Sequence, residues 1–227
     1  MVNLKRTRED ILESVINAVH RNGLTATGLS KLFDLSGASS GSFYNYFSSK
    51  QELGHALIDF EWEKLKTNIL EPSQEKSQFP IEQLLWILDV LEKKQHQEPF
   101  CGGCLLGNLI VDLTEQDPSF REHLAQIFSQ WEEAIAERLI QAQNQGQLQP
   151  SANPKILAGQ IMTVLEGAML MGKLYQDTDR LRQGFDVARQ LITLAIYTPN
   201  GSSDFMVISV ANEKKRLAGG HESFQSL

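Results

Sequence analysis

Hydroxyl and amide side chains are concentrated in residues 36–50, SGASSGSFYNYFSSK, which contain no acidic residue. Serine, tyrosine and asparagine can all donate hydrogen bonds, and the lack of carboxylates leaves nothing to repel a polyanion. Lys50 stands at the start of a predicted helix, where a cation opposes the helix dipole and is poorly placed for stability alone. The free amides at the same helix end attract anions. The stretch therefore predicts contact with phosphate, and a DNA phosphate is the natural occupant.

A second chemically distinctive stretch is FCGGCLLGNL at 100–109, where Cys101 and Cys104 lie three residues apart. A helix is predicted to begin here after Pro99, and a helix N-terminus lowers the pKa of a thiol. Three interpretations stay open. The thiols could sense oxidants or electrophiles, they could bind a metal with help from His96 or His123, or the residues are small because helices cross closely.

The elements that position these residues are predicted to be helices, because apolar residues recur every three or four positions and no alternating strand pattern appears before residue 205. The predicted helices span 7–22, 28–35, 39–46, 50–70, 81–96, 102–115, 119–144, 154–176 and 179–197. The fold class is therefore all-α with about nine helices. Residues 199–227 change in character and are predicted to form a disordered or loosely docked tail.

The charge of the chain is unevenly distributed. The 227 residues carry a formal charge of −7, yet residues 1–50 contain six basic and four acidic side chains. A mildly basic head on an acidic body predicts that only the head meets a polyanion. No apolar run is long enough to span a bilayer and no signal-peptide pattern appears, so we expect a cytoplasmic protein without a membrane partner. Two cysteines provide no disulfide framework.

Two short helices joined by a tight turn at Ser36-Gly37-Ala38 are typical of a helix-turn-helix that reads DNA. Residues 7–55 resemble the N-terminal domain of the tetracycline-repressor (TetR) family of bacterial transcription regulators. The resemblance rests on a first helix that ends at Gly23, on T-A-T-G-L at 25–29, on Gly37, and on S-S-G-S-F-Y-N-Y-F-S-S-K-Q-E-L at 39–53. Two positions depart from the family pattern: Ser40 is often lysine there, and Phe33 is usually alanine.

The resemblance implies a DNA-binding domain at 1–50, a ligand-binding and dimerisation domain at 51–198, and a recognition helix at 39–46. The residues that it places at DNA are Thr27, Ser39, Ser40, Ser42, Tyr44, Asn45, Tyr46 and Lys50. Phe43 and Phe47 are predicted to anchor the recognition helix in the core. The basic arm Lys5, Arg6 and Arg8 is a further candidate for contact with the DNA backbone.

The body is predicted to form a homodimer through 154–197, since a helix that is apolar nearly all round would expose a large patch in a monomer. The remaining helices would surround a cavity for an unknown small-molecule effector. The candidate ligand-binding or sensing residues are Phe100, Cys101, Cys104, Leu105, Leu109, Phe128, Trp131, Glu166 and Met169, with Trp62 and Trp86 as weaker candidates. Glu166 is a lone acid in an apolar run, and its burial would require a partner or a proton.

The predicted function is a ligand-responsive transcriptional repressor, without enzymatic activity, cofactor or metal, that a small apolar or electrophilic molecule releases from a near-palindromic DNA operator. One alternative is a thiol oxidoreductase or redox-sensing protein, built on C-x-x-C, that does not bind DNA. Another keeps the fold but has a head that binds protein instead of DNA. The first of these has a specific weakness. That alternative lacks the βαβ pattern which usually accompanies the motif.

Overall fold

The structure, a computed structural model, describes residues 6–97 and 99–197. Within them the fold is all-α, as predicted, with one isolated antiparallel bridge between Leu148 and Ile196. The helices are α1 (Arg8–Asn22), α2 (Leu29–Ser36), α3 (Ser40–Tyr44), α4 (Lys50–Leu65), α5 (Glu71–Ser73), α6 (Pro80–Lys94), α7 (Leu105–Leu113), α8 (Pro118–Asn144), α9 (Pro154–Tyr175) and α10 (Thr178–Ala195). The predicted tail at 199–227 lies outside the described residues.

The head consists of α1, α2 and α3 packed around one apolar core. Thr7 and Asp10 form a reciprocal capping box that starts α1. Gly37 ends α2 in the left-handed conformation, with φ 62°, which glycine adopts without strain. The first turn of the next helix, α4, places Leu53 in the same core, so the packing of the head continues past residue 50 into a helix that joins head and body.

A continuous helical rod connects the head to the body. It comprises α4, a π-helical turn at Lys66–Leu70 and α5, so the described residues contain nine helical segments, as expected. A π turn leaves backbone carbonyls poorly paired, and the buried Arg138 of α8 donates to the Leu70 carbonyl at 2.5 Å and to the Ser73 hydroxyl at 3.0 Å. Arg138 therefore ties the end of the rod to α8.

Prolines and capping residues set the boundaries of the long helices. Asp117 caps α8 immediately before Pro118, and Asn153 caps α9 immediately before Pro154. Proline is favoured in the first turn because its missing N–H would have no partner there. These predicted boundaries agree with the structure to within about two residues, the usual uncertainty of a helix end.

Close packing joins α9 to α10. A Cβ atom at Gly184 would collide with Ala168, and one at Gly172 would press on Leu181 at 3.0 Å. Glycine at these positions lets the two helix backbones approach closely, and the buried residues Leu165, Phe185 and Ile192 fill the remaining space.

Two predicted helices are shorter in the structure. The helix predicted at 39–46 ends at Tyr44 rather than at residue 46. The helix predicted at 102–115 begins only at Leu105, because Cys101 has φ 44° and Gly103 has φ 79°, and both values are incompatible with a right-handed helix. Among the described residues, no helix combines the length and the hydropathy needed to cross a bilayer.

Candidate nucleic-acid interface and effector cavity

The helix-turn-helix is held by aromatic packing behind α3. Phe43 and Phe47 are fully buried, as predicted, with ring centroids 5.4 Å apart. Phe33, one of the two departures from the family pattern, packs edge-on against Phe43 at 5.0 Å and against Tyr44 at 5.9 Å. The larger ring therefore extends the aromatic cluster and supports the recognition helix from the side of α2.

Most of the residues predicted to contact DNA lie at the surface of the head. Ser39, Ser40, Tyr44 and Asn45 are exposed, and Ser42 and Tyr46 are half-buried. The Ser39 hydroxyl accepts a hydrogen bond from the Ser42 amide and so caps α3, which leaves its O–H free to donate. The structure thus brings six predicted residues together on and beside one short helix.

The prediction for the Thr27 side chain is wrong. Thr27 is 1% exposed, and its hydroxyl donates to the Gly23 carbonyl at 2.6 Å. A buried hydroxyl with its proton committed to a backbone carbonyl cannot also donate to a phosphate. Thr27 instead fixes the turn between α1 and α2.

Lys50 lies at the N-terminus of α4, as predicted, and its Nζ donates to the Thr25 carbonyl at 3.0 Å. The neighbouring amides are already used, because Ser49 accepts from the Glu52 amide and Glu52 accepts from both the amide and the hydroxyl of Ser48. These hydrogen bonds from Ser48 lower the pKa of Glu52. The sequence interpretation missed this capping role, although Ser48-Ser49 three residues before Glu52 is its signal.

A basic arm precedes α1. The guanidinium of Arg8 lies 5.4 Å from the centre of the Phe47 ring, and Arg6 lies against Gly37, in the turn between α2 and α3. Lys5, the other residue of the predicted arm, lies outside the described residues. Two cations therefore flank the helix-turn-helix, where they add positive charge to its surface.

A cavity of about 540 Å³ opens in the body between α1, α4, α6, the loop before α7, α8 and α9. Four predicted liners do line it: Cys104, Leu105, Trp131 and Met169. Five others do not: Phe100, Cys101, Leu109, Phe128 and Glu166. Phe100 is 42% exposed, whereas Leu109 and Cys101 are buried in the core. The weaker candidates Trp62 and Trp86 lie outside the cavity wall as well.

Polar residues of the cavity wall were not anticipated from the sequence. His20, Glu61, Lys64, Lys94 and Gln95 all line it. Gln95 accepts from the Gly103 amide at 3.1 Å, and the His20 ring lies 3.0 Å from the Gly103 carbonyl, so both side chains hold the irregular loop that precedes α7. Burial lowers the pKa of His20.

The prediction of acidic, thiolate-forming cysteines is wrong. Burial raises the pKa of the Cys101 thiol, and burial together with the Glu166 carboxylate raises that of Cys104. Cys104 does stand at a helix N-terminus, where its sulfur accepts from the Gly107 amide at 3.4 Å, but desolvation outweighs that effect. Neutral thiols are poor nucleophiles and poor metal ligands.

A metal site is not formed by the residues considered for it. His123 is hydrogen-bonded to His55 at 2.9 Å and to Asp59 at 2.8 Å, on the side of α8 that faces α4. In the described part of the chain, no cluster of three or more histidine, cysteine or acidic residues could hold a metal ion. His55 and His123 instead join α4 to α8.

Glu166 is half-buried in α9 beside Cys104, and Gly107 leaves the space for its carboxylate. Its Oε1 atom has no hydrogen-bond partner among the described residues. Burial raises the pKa of Glu166 to about 7. Burial raises this pKa by more than the hydrogen bond with Cys104 lowers it, so near pH 7 the half-buried Glu166 side chain keeps its proton in a large fraction of the molecules.

Glu166→Gln is therefore expected to stabilise the protein at high pH. Folding raises the pKa of Glu166 from 4.5 to about 7. The contribution of the protonated side chain to stability is therefore complete below pH 4.5 and is lost as the pH rises through about 7. At pH 8.5 the variant should gain roughly 2–3 kcal/mol in the free energy of unfolding, and at pH 5 the difference should be small. Urea unfolding at both pH values measures it, and a difference that does not depend on pH would contradict the assignment.

A hydrogen-bonded clamp joins the body to the head. The Asp112 carboxylate of α7 accepts from the Leu24 amide at 2.7 Å and from the Thr25 amide at 3.1 Å. Gln116 donates to the Thr25 hydroxyl at 3.0 Å. Because α7 begins at Leu105 in the cavity wall and ends beside this clamp, one short helix links the cavity to the turn that precedes α2.

The outer face of α9 and α10 is apolar and uncovered. Its exposed residues are Ile156, Leu170, Met171, Leu174, Tyr175, Val187 and Leu194. Leu174 of α9 and Leu194 of α10 are 65% and 75% exposed, and exposed apolar side chains of this size mark interaction sites when they form a patch. This set of residues is called the α9–α10 face below.

Comparison with known proteins identifies both parts of the chain. Residues 11–57 match the family model described as bacterial regulatory proteins, tetR family, and residues 80–188 match the model described as tetracyclin repressor-like, C-terminal domain. The chain is 30% identical over 187 residues to a helix-turn-helix-type transcriptional regulator in the lacX 3′ region of Lactococcus lactis subsp. lactis, covering 82% of this chain and 93% of that protein.

Other proteins similar to this chain are also transcriptional regulators. The helix-turn-helix-type transcriptional repressor DhaR of Mycobacterium sp. (strain GP1) is 25% identical, with 78% of this chain and 87% of DhaR covered. A solved TetR-family regulator from Cytophaga hutchinsonii superimposes with a TM-score of 0.75 at 20% identity, covering 86% of this chain and 96% of that one. The reduced form of E. coli NemR superimposes with a TM-score of 0.75 at 21% identity, covering 85% and 98%.

Proposed function

Because this chain belongs to the TetR family of helix-turn-helix transcriptional regulators, we propose that it is a homodimeric repressor which a small molecule releases from a near-palindromic operator. Its family and relatives are DNA-binding regulators and not enzymes, and the oxidoreductase alternative has no support. DhaR is named a repressor, which supports repression over activation. A regulator that acts on chromosomal DNA would work in the cytoplasm.

The observation that carries the proposal is the surface of α3 and the residues beside it. Ser39, Ser40, Tyr44 and Asn45 project from a helix whose other side is anchored by buried phenylalanines. Half-buried Ser42 and Tyr46 flank them. Since exposed hydroxyl, amide and phenol groups can donate to base edges and phosphates, the helix has the chemistry of a recognition helix. Arg6, Arg8 and Lys50 supply cations around it.

The dimer is proposed to form through the α9–α10 face, within residues 154–197. Two heads are needed because a single short recognition helix offers few contacts, and dimers place two such helices about 34 Å apart on one side of the duplex. Burying the exposed leucines of α9 and α10 against a second copy would supply the association free energy.

The effector is proposed to bind in the cavity and to act through α4 and α7. Both helices contribute to the cavity wall or begin beside it, and both contact the head, α4 through Lys50 and α7 through Asp112. A molecule that binds one arrangement of these helices more tightly than the other shifts the equilibrium between the two arrangements, and with it the position of the heads. The raised pKa values of both cysteines favour non-covalent binding over thiol modification.

The test is a nuclease footprint on fragments of chromosomal DNA. We expect a protected near-palindrome whose half-sites are about 10 base pairs apart, centre to centre. Lys50→Gln should weaken protection roughly tenfold at every site without changing the sequence protected, because a phosphate contact carries no base preference. Lys76→Gln, which changes an exposed lysine of the body, is the matched control and should leave the footprint unchanged. Absence of any protected palindrome would refute the proposal.

A further inference from the structure

The charge of the cavity wall differs from that of the body around it. Among the described residues that line the cavity, three are lysines (Lys64, Lys93 and Lys94) and one, Glu61, is acidic. Residues 51–227 as a whole carry nine more acidic than basic side chains. Lysines therefore outnumber acids in the wall of this cavity, although the body as a whole is acidic.

One of these lysines is held by the acid across the cavity. Lys94 Nζ lies 2.6 Å from Glu61 Oε1, which joins α6 to α4. The Glu61 side chain is 9% exposed, whereas that of Lys94 is 41% exposed. The buried Glu61 carboxylate is thus paired with the Lys94 ammonium. Because Lys94 is the more exposed partner, it can bind a second anion without leaving the cavity wall.

The other two lysines lack an acidic partner within the described residues. The Lys64 ammonium lies 5.3 Å from the centre of the Phe60 ring, and Lys93 is exposed. Besides these cations and polar residues such as His20 and Gln95, the wall contains apolar side chains, Leu91, Leu105, Trp131 and Met169 among others. A molecule with an anionic end and an apolar end matches this division of the wall.

We propose that the effector is a small amphipathic anion of the carboxylate type, and that its anionic group takes Lys94 from Glu61. Losing its partner leaves Glu61 as a buried unpaired carboxylate, a costly state that is relieved when α4 shifts and exposes the side chain. The ion pair thus holds α4 against α6 until an anion breaks it. This inference rests on the proposed function for its consequence at the head, but ligand binding tests it without DNA.

The experiment is isothermal titration calorimetry of the purified protein with octanoate and with octanamide, which has the same chain but no charge. We expect octanoate to bind at least tenfold more tightly, the usual value of one charge-assisted hydrogen bond. Lys94→Met should abolish this preference. Glu61→Gln should do the opposite and tighten octanoate binding several-fold, because the competitor for Lys94 is gone.

The two substitutions are expected to change the octanoate affinity in opposite directions. This distinguishes competition for Lys94 from structural damage, which would weaken octanoate binding in both variants. Lys76→Met, an exposed lysine outside the cavity, is the matched control and should bind octanoate as the unaltered protein does. Equal affinity for octanoate and octanamide, absence of binding to either, or weaker octanoate binding by Glu61→Gln would overturn the inference. A protein that binds octanoate as expected but protects no DNA would refute only the proposed function.

Discussion

Leu170→Arg is expected to convert the protein into a monomer and to lower its operator affinity by at least about 100-fold. Leu170 is 50% exposed on the α9–α10 face, where a symmetric dimer would bring the two arginines close together and bury both charges. Buried unpaired charges oppose association by several kcal/mol. Because two linked heads gain roughly 10²–10⁴ in affinity over one, loss of the dimer removes that factor.

Sedimentation velocity and a DNA titration on the same sample measure the two consequences of Leu170→Arg. Val111→Arg is the matched control, since Val111 is 77% exposed on α7 and lies outside the α9–α10 face. The control should remain a dimer and bind DNA normally. A dimeric Leu170→Arg variant with full affinity would show that association uses another surface.

Phe43→Ala is expected to destabilise the head by about 3–5 kcal/mol, the usual cost of removing a buried phenylalanine. Phe43 is fully buried and contacts the rings of Phe33, Tyr44 and Phe47, so the truncation would remove the centre of the aromatic cluster behind α3. Since an isolated small head has little stability to lose, we expect DNA binding to disappear while the body stays folded and dimeric.

The matched control for Phe43→Ala is Phe100→Ala, which removes a ring that is 42% exposed. Its effect on the free energy of unfolding should stay within about 0.5 kcal/mol, as for most surface substitutions. Urea unfolding followed by circular dichroism compares the two variants. Equal destabilisation by both substitutions would contradict the assignment of Phe43 as the anchor of the recognition helix.

The fold was largely predictable because its signals are local. Pro118 and Pro154 mark helix starts, Gly37 marks a helix end, and the periodic apolar residues of α8 are buried. The start of α7 was not predictable in the same way. The glycine pair 102–103 disfavours a helix, but the left-handed turn at Gly103 is held by contacts from Gln95 and Asn108, which only the tertiary structure supplies.

The helix-turn-helix was also predictable from sequence, since the residues that define it are contiguous in the chain. Thr27 was misassigned because its burial depends on how α1 and α2 pack, not on its neighbours in the chain. The cavity was the least predictable part. Lys94 and Glu61 lie 33 residues apart, and nothing local indicates that they pair. The pKa of the Cys104 thiol likewise depends on burial. Burial raises this pKa, whereas the position of the thiol at a helix N-terminus had suggested that it would be lowered.

The central claim is that the helix-turn-helix head meets a phosphate-lined duplex as one half of a symmetric pair. A fluorescence-anisotropy titration of the protein with DNA from its own promoter, repeated at stepwise salt concentrations, tests it most directly. We expect saturation at one dimer per duplex and an affinity that falls steeply with salt, because each phosphate contact releases about one counterion. Failure to bind at low salt, or an affinity that salt does not change, would contradict it.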